Sequence, residues 1–195
     1  MTTALVTGSA ERVEGLAAAL GVAGAEVVSV TDLDRLHEAV EAFHPGSLDC
    51  YIQLPMVLRP TGDTVVSRVR NFLEGGLLAR FRLAETVLPA LSADARVVLV
   101  GGHTPVERTV PDDQAARVAF LDVLAHAIRA DKAPAKVRVR VLDHGLDADE
   151  IARLALTGEP PRGRSARQRD LAVDAAGMSY QDWRTEVLGL VSVEF

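Results

Sequence analysis

The sequence has little of what several classes of protein need. Its single cysteine, Cys50, excludes an internal disulfide. No apolar run approaches the roughly 18 residues of a membrane-spanning helix, and residues 1–5 lack the features of a secretory signal. The 21 basic residues are outnumbered by 27 acidic ones, and the net charge of −6 argues against nucleic acid or an anionic membrane surface as the main partner. We therefore expect a cytoplasmic protein that binds neither.

The chain does contain enough apolar sequence for one core. Its 195 residues are 48% hydrophobic, which suits a single domain of ordinary size. No internal repeat, low-complexity tract or linker divides it. We expect residues 1–195 to form one domain, with the loop and tail of 159–195 belonging to it.

The stretch around Gly8 organises the rest of the chain. A short apolar run ends in Thr7 and Gly8 and passes directly into a helical pattern, in which Val13, Leu16 and Leu20 recur on one face. A second apolar run follows at 25–30. This order predicts a strand, a helix and a parallel strand, which together form one βαβ unit of the dinucleotide-binding type.

The remaining pattern predicts a three-layer α/β/α fold with a mainly parallel sheet of about six strands. Further strands are expected near 48–54, 96–101 and 137–142, with one more near 190–195. Thr31 can cap a short helix, and Asp147 begins another. Two long helical patterns cover 64–90 and 111–130, and Gly75-Gly76 interrupts the first of them.

The turn after the first strand resembles that of the short-chain dehydrogenases/reductases, which reads T-G-x-x-x-G-x-G. Thr7 and Gly8 match this motif, whereas Arg12 and Glu14 stand at its second and third glycines. The resemblance implies a Rossmann fold, a nicotinamide cofactor and hydride transfer. For a nucleotide it leaves Thr7, Gly8 and Arg12 as the candidate contacts.

The same resemblance shows that the family's catalytic residues are replaced. Four residues stand where the family has Asn, Ser, Tyr and Lys, and they are Gly76, Gly102, Asp113 and Arg117. An ionised aspartate has no proton to donate to a carbonyl, and arginine does not hold the ribose as lysine does. The two tyrosines, Tyr51 and Tyr180, have no lysine four residues later.

Part of the family's cofactor pocket is also missing from the sequence. Between the strands at 26–30 and 48–54, the chain lacks the strand and helix that complete the adenine pocket in the family. Gln53, Leu54 and Pro55 stand where the family has N-A-G. The fold is therefore expected to be shorter by one βα unit, and we expect no bound cofactor.

Three hypotheses on function follow. The first is a degenerate relative of the family that has lost hydride transfer and acts as a non-catalytic subunit. The second is an NAD(P)-dependent oxidoreductase whose acid and base residues have moved. The third is a different activity built on His103 and His144, near Asp143, because all three are expected at the carboxyl edge of the sheet.

Other reactive residues have simpler interpretations. Cys50 begins a predicted strand and is read as a small core residue. No side chains show the spacing of metal ligands along one element. The arginines of the loop at 162–169 are read as a solvated loop, with contact to an acidic partner or a phosphate as the alternative.

The two long helices predict an oligomer. In the family, the corresponding helices pack against those of a second subunit. Here they carry apolar residues beyond one face, namely Val66, Leu78 and Phe81 on the first, and Ala115, Val118, Ala119 and Leu121 on the second. We expect a homodimer, or a hetero-oligomer with a related active subunit, through helices 64–90 and 111–130.

Overall fold

A computed structural model describes residues 1–56, 61–102, 111–142 and 145–158. Over these residues the chain forms a sheet of five parallel strands. In chain order the strands are β1 (Thr3–Thr7), β2 (Glu26–Val30), β3 (Leu48–Gln53), β4 (Leu91–Val100) and β5 (Arg138–Leu142). Across the sheet their order is β2-β1-β3-β4-β5. The predicted strand at 190–195 lies outside the described residues.

This strand order confirms the predicted fold class and its shortened half. β1 pairs in parallel with both β2 and β3, which places β2 at the edge of the sheet. The chain passes from β2 to β3 through one short helical segment, so no further strand lies beyond β2 in the described sheet. The order therefore reverses between β1 and β3, which is where open α/β sheets bind ligands.

Six α-helices occur among the described residues. They are α1 (Ala10–Val22), α2 (Leu36–Glu41), α3 (Val65–Phe72), α4 (Leu78–Val87), α5 (Pro111–Lys132) and α6 (Ala148–Thr157). Two 3₁₀ turns, Leu33–Arg35 and Leu88–Ala90, adjoin α2 and α4. The predicted helix at 64–90 is thus an almost continuous run, in which a π-helical turn at Leu73–Leu77 separates α3 from α4.

The π-helical turn contains the two glycines that were predicted to interrupt this helix. Gly75 and Gly76 disfavour a regular α-helix here, because glycine has the lowest helix propensity apart from proline. Such turns are rare and occur mostly as single insertions within α-helices. The sequence prediction of an irregularity at this point is confirmed.

Alternate residues of each strand enter one of two cores, one on each face of the sheet. On one face, Tyr51 and Val97 pack with helices α2, α4 and α5. On the other face, Cys50 and Val98 pack with α1 and α6. Because both faces of the sheet are covered, the strands are apolar along most of their length.

Two local predictions are corrected. Thr31 does not cap the helix, because the Asp32 carboxylate accepts the Asp34 N–H at 3.1 Å and opens a 3₁₀ turn, and the α-helix then starts after Arg35. The strand β4 begins at Leu91 rather than at 96, since Leu91 already aligns with Leu48 of β3. Its first residue, Leu91, is buried, but Ser92 and Asp94 are polar and residues 92–94 are not buried, so apolar content alone did not mark the start of the strand.

The expected outward apolar residues of the two long helices lie in different environments. Val66 and Leu78 are exposed, as predicted. Leu121 instead lies in the core of the chain itself, at 3% exposure, so its assignment to an outer face was wrong. Phe81 is partly buried and meets the Phe120 ring edge-on, with centroids 6.3 Å apart. Ala115 and Val118 lie outside the residues whose side chains are described.

No helix among the described residues is both long enough and apolar enough to span a bilayer.

Candidate functional site at the carboxyl edge of the sheet

The turn after β1 brings Gly8 against the end of β3. A β-carbon added to Gly8 would lie 2.6 Å from the Leu54 Cβ and 3.3 Å from the Leu54 carbonyl oxygen. The φ angle of Gly8 is +151°, a conformation that other residues rarely adopt. The Leu54 N–H also donates to the Thr7 carbonyl at 2.8 Å. Gly8 is therefore required by the close approach of the chain itself.

Two backbone N–H groups of this turn, those of Gly8 and Ser9, are directed to protein acceptors. The Gly8 N–H donates to the Val30 carbonyl and the Ser9 N–H donates to the Pro55 carbonyl, each at 3.4 Å. Helix α1 begins at Ala10, directly after the turn. A pyrophosphate needs free N–H groups and a loop of bare backbone that it can approach. The N–H groups of Gly8 and Ser9 do not meet that requirement.

The predicted nucleotide contacts occupy different environments. Thr7 is fully buried, and its hydroxyl is hydrogen-bonded to the Tyr51 hydroxyl at 3.2 Å. Arg12 is exposed on the surface of α1. The structure thus places Thr7 and Gly8 together at the end of β1. A nucleotide contact by Thr7, Gly8 or Arg12 stays a prediction.

The end of β3 is instead held by an arginine from α4. The Arg80 Nε donates to the Gln53 side-chain carbonyl at 2.8 Å, and one terminal nitrogen donates to the Gln53 backbone carbonyl at 3.0 Å. The other terminal nitrogen donates to the Val100 carbonyl at 2.9 Å. Gln53 and Val100 are the last residues of the neighbouring strands β3 and β4. The guanidinium therefore lies across the carboxyl ends of both strands.

Gln53 connects this guanidinium to β1. Its side-chain nitrogen donates to the Arg80 backbone carbonyl at 3.0 Å and to the Tyr51 hydroxyl at 3.2 Å. The Tyr51 hydroxyl in turn meets the Thr7 hydroxyl. One buried polar network thus joins β1, β3, β4 and α4. Each polar group named here has a hydrogen-bond partner, and these bonds offset much of the free energy that burying polar groups costs.

The electrostatics of the network disfavour proton transfer. Burial raises the pKa of Tyr51 above its usual value, and the hydrogen bonds from Thr7 and Gln53 offset this only in part. A tyrosine that donates a proton to a carbonyl needs solvent or substrate access and a lowered pKa. Tyr51 is 1% exposed, so it does not replace the missing catalytic tyrosine.

Arg80 carries its charge without a carboxylate partner among the described residues. Burial lowers its pKa to about 10, so it remains protonated at neutral pH. Its acceptors are two backbone carbonyls and one carboxamide, all of them neutral. The site is therefore a group of oxygen acceptors around one cation.

Two of the four residues at the family's catalytic positions have no side chain that could act as an acid or a base. Gly76 lies in the π-helical turn and Gly102 follows β4, and neither has a side chain. Asp113 and Arg117 lie in the first two turns of α5, and their side chains lie outside the described part of the chain. His103, Asp143 and His144 also lie outside it, as do the arginines at 162–169.

The surroundings of Cys50 agree with its simpler interpretation as a core residue. The Cys50 side chain is completely buried, and burial raises the pKa of its thiol to about 12, which confirms it as a core residue. In the part of the chain that the structure describes, no three His, Cys, Asp or Glu side chains are arranged to hold a metal ion.

The sequence analysis did not identify Arg80, whose side chain donates three hydrogen bonds in this site. The helical spacing did indicate it, because Arg80 lies three residues after Leu77 and four before Ala84, on the same apolar face of the helix. A charged residue on the core-facing side of a helix needs a buried partner. The sequence could not identify that partner, since Gln53 lies 27 residues earlier.

Solved structures of short-chain dehydrogenases/reductases share this fold. A member from Serratia marcescens superposes with a TM-score of 0.56 at 16% identity, over 82% of this chain and 89% of that chain. A protein named as a small-chain dehydrogenase gives a TM-score of 0.55 at 19% identity, over 80% and 89% of the two chains. At these identities the likeness concerns the fold. No protein-family model and no curated protein matches the sequence.

Proposed function

We propose that this chain is a relative of the short-chain dehydrogenases/reductases that has lost hydride transfer and acts as a non-catalytic subunit. The shared fold supports the relationship. One observation carries the loss of activity, namely that the end of β3 packs directly on the Gly8 turn and accepts the Ser9 N–H through the Pro55 carbonyl. Two of the N–H donors at this turn, those of Gly8 and Ser9, are bonded within the chain.

The catalytic positions support the same proposal. Carbonyl reduction needs a group that donates a proton as hydride arrives, and such a group contributes about 10²- to 10⁴-fold to the rate. Gly76 and Gly102 have no side chain to offer, and Asp113 is a residue type that is ionised at neutral pH. The described tyrosine, Tyr51, is buried on a strand.

Cofactor binding is the direct test. A cofactor at about 100 times its dissociation constant stabilises a protein by about 2.7 kcal/mol, which raises the melting temperature of a chain of this size by about 5–10 °C. We expect NADH and NADPH at about 1 mM to shift the melting temperature by less than about 1 °C. We also expect no oxidation of either cofactor with a panel of carbonyl substrates.

A clear thermal shift together with turnover would instead support an NAD(P)-dependent oxidoreductase with relocated acid and base residues. In that case Asp113→Asn and His103→Ala should be compared with wild-type protein. Turnover that disappears in either variant, at unchanged far-ultraviolet circular dichroism, would overturn the proposal and identify the new proton donor.

The role as a subunit rests on the surfaces of α3, α4 and α5. Five of the seven large apolar side chains that are exposed in the described part of the chain lie on these helices or on the turn between α3 and α4: Val65, Val66, Leu73, Leu78 and Phe120. Apolar residues gathered in this way indicate a surface that another protein covers. The proposed partner is a second copy of the chain or a related active subunit.

A further inference from the structure

The ends of β3 and β4 present oxygen atoms rather than N–H groups to the space above the sheet. The backbone carbonyls of Gln53 and Val100 and the side-chain carbonyl of Gln53 converge within 2.8 to 3.0 Å of one guanidinium. All three are acceptors. A site for a phosphate or a carboxylate needs donors, so this edge has the opposite polarity to a site for an anion.

The geometry suits a planar guanidinium in particular. Guanidinium carries its N–H groups in a rigid plane, whereas an ammonium is a compact point charge. Three different nitrogens of Arg80 each reach one of the three oxygens. In the described part of the chain no carboxylate pairs with Arg80. The three neutral oxygens therefore hold the cation.

We propose that the carboxyl edge of β3 and β4 is a guanidinium-binding site and that Arg80 is its built-in occupant. In open α/β sheets this edge is where ligands bind. In this chain a side chain from α4 fills the position that a ligand would otherwise contact. The site would take a small guanidinium compound if Arg80 were removed.

Gln53 both accepts hydrogen bonds from Arg80 and donates one to it. While its two carbonyl oxygens accept from the Arg80 guanidinium, its side-chain nitrogen donates to the Arg80 backbone carbonyl at 3.0 Å. Arg80 is the third residue of α4, directly after the π-helical turn Leu73–Leu77. The contact thus attaches the start of α4 to the sheet at the point where the helix is irregular.

The test is chemical rescue of Arg80→Ala by methylguanidinium. We expect this variant to melt about 4–12 °C below wild type, because buried acceptors lose a charged donor. Methylguanidinium at ten times its dissociation constant should then shift the folding equilibrium of the variant about 11-fold toward the native state. Methylammonium should have no such effect. Arg82→Ala is the matched control, since Arg82 is exposed on the same helix.

A second measurement uses the wild-type protein and does not depend on the stability of the variant. In a proton–nitrogen spectrum, the Arg80 Nε–H should be protected from exchange with solvent, and Arg80→Lys identifies its signal. Equal responses of Arg80→Ala and Arg82→Ala to methylguanidinium, or an unprotected Arg80 signal, would overturn the inference. Neither result depends on NADPH binding, so failure here is distinct from failure of the proposed function.

Discussion

At the scale of single residues, burial sets the chemistry of the side chains beside the sheet. It raises the pKa of Cys50 and of Tyr51, and it lowers the pKa of Arg80. Each change disfavours the charged form of the group, as desolvation requires. The thiol and the phenol therefore act as neutral parts of the core, and Arg80 is the one of these three groups that keeps a charge.

The Cys50 thiol predicts a loss of stability at alkaline pH. Its folded pKa of about 12 exceeds the ordinary value of 9.0, so the thiol's contribution is complete below pH 9 and falls as the pH rises toward 12. Between pH 8 and pH 10 the expected loss is about 1.3 kcal/mol. Cys50→Ala should remove this part of the pH dependence, as measured by urea unfolding at both pH values.

Tyr51 serves as an internal control for that experiment. Its raised pKa acts in the same direction and remains in both proteins, so some alkaline loss should persist in Cys50→Ala. An identical alkaline loss in the two proteins would contradict the prediction. A thiol reagent at pH 8 gives an independent check, because a buried neutral thiol should react only when the protein opens.

At the scale of elements, α6 is the helix with the clearest local signals. The Asp147 carboxylate accepts the Glu150 N–H at 2.8 Å and caps the first turn. Gly158 ends the helix in the left-handed conformation, with a φ angle of +71°. Arg96 and Arg140 donate to the carbonyls of Leu156 and Gly158, which are backbone acceptors at the negative end of the helix.

The cap predicts the cost of a single substitution. Asp147→Ala should lower the free energy of unfolding by about 1 kcal/mol, within a usual range of about 0.5–2 kcal/mol, because the Glu150 N–H loses its acceptor. Asp149→Ala is the matched control. Asp149 also lies in the first turn but contributes only its favourable charge, which is worth about 0.3–1 kcal/mol. Chemical denaturation measures both, and equal effects would show that the cap bond is unimportant.

At the scale of the whole molecule, the exposed apolar residues point to association. Leu78 is 44% exposed and lies three residues before Phe81, which meets Phe120 of α5 edge-on. Residues three apart lie on the same helix face, so the exposed Leu78 side chain lies next to the contact between α4 and α5. An obligate interface built on this surface should bury more than about 2,000 Å² in total.

Sedimentation tests the association. Leu78→Asp should convert an oligomer to monomers without unfolding the chain, because it places a charge in an apolar interface. Val22→Asp is the control, since Val22 is 92% exposed on α1, on the other side of the sheet. Phe81 is unsuitable for this purpose, because it packs on Phe120 and the core and its replacement would also weaken the fold.

A wild-type protein that sediments as a monomer at all concentrations would remove the homodimer. Mixing experiments with short-chain dehydrogenases/reductases of the same host would then decide whether a hetero-oligomer forms. If Leu78→Asp and Val22→Asp changed the sedimentation equally, the proposed surface would be wrong.

The loss of one βα unit was inferred from the family resemblance, whereas the sequence by itself determined the fold class and the positions of the strands along the chain. These features depend on the spacing of apolar residues and on turn residues, which are local properties of the chain. The break at Gly75-Gly76 and the cap at Asp147 are local as well, and they were predicted for that reason. The start of β4 at Leu91 was missed because Leu91 aligns with Leu48 of β3 ahead of a shift in the strand register, and the residues between Leu91 and Arg96 do not form an apolar run.

Only the tertiary structure decided what Gly8 and Arg80 do. Helical spacing places Arg80 on the buried side of its helix, but its acceptors are on Gln53 and Val100, which are 27 and 20 residues away. Likewise, a glycine is needed at position 8 because Leu54 packs against it, and this contact exists only because β1 and β3 pair. Such contacts depend on how distant segments pack, and no local pattern records the partner of a buried polar group.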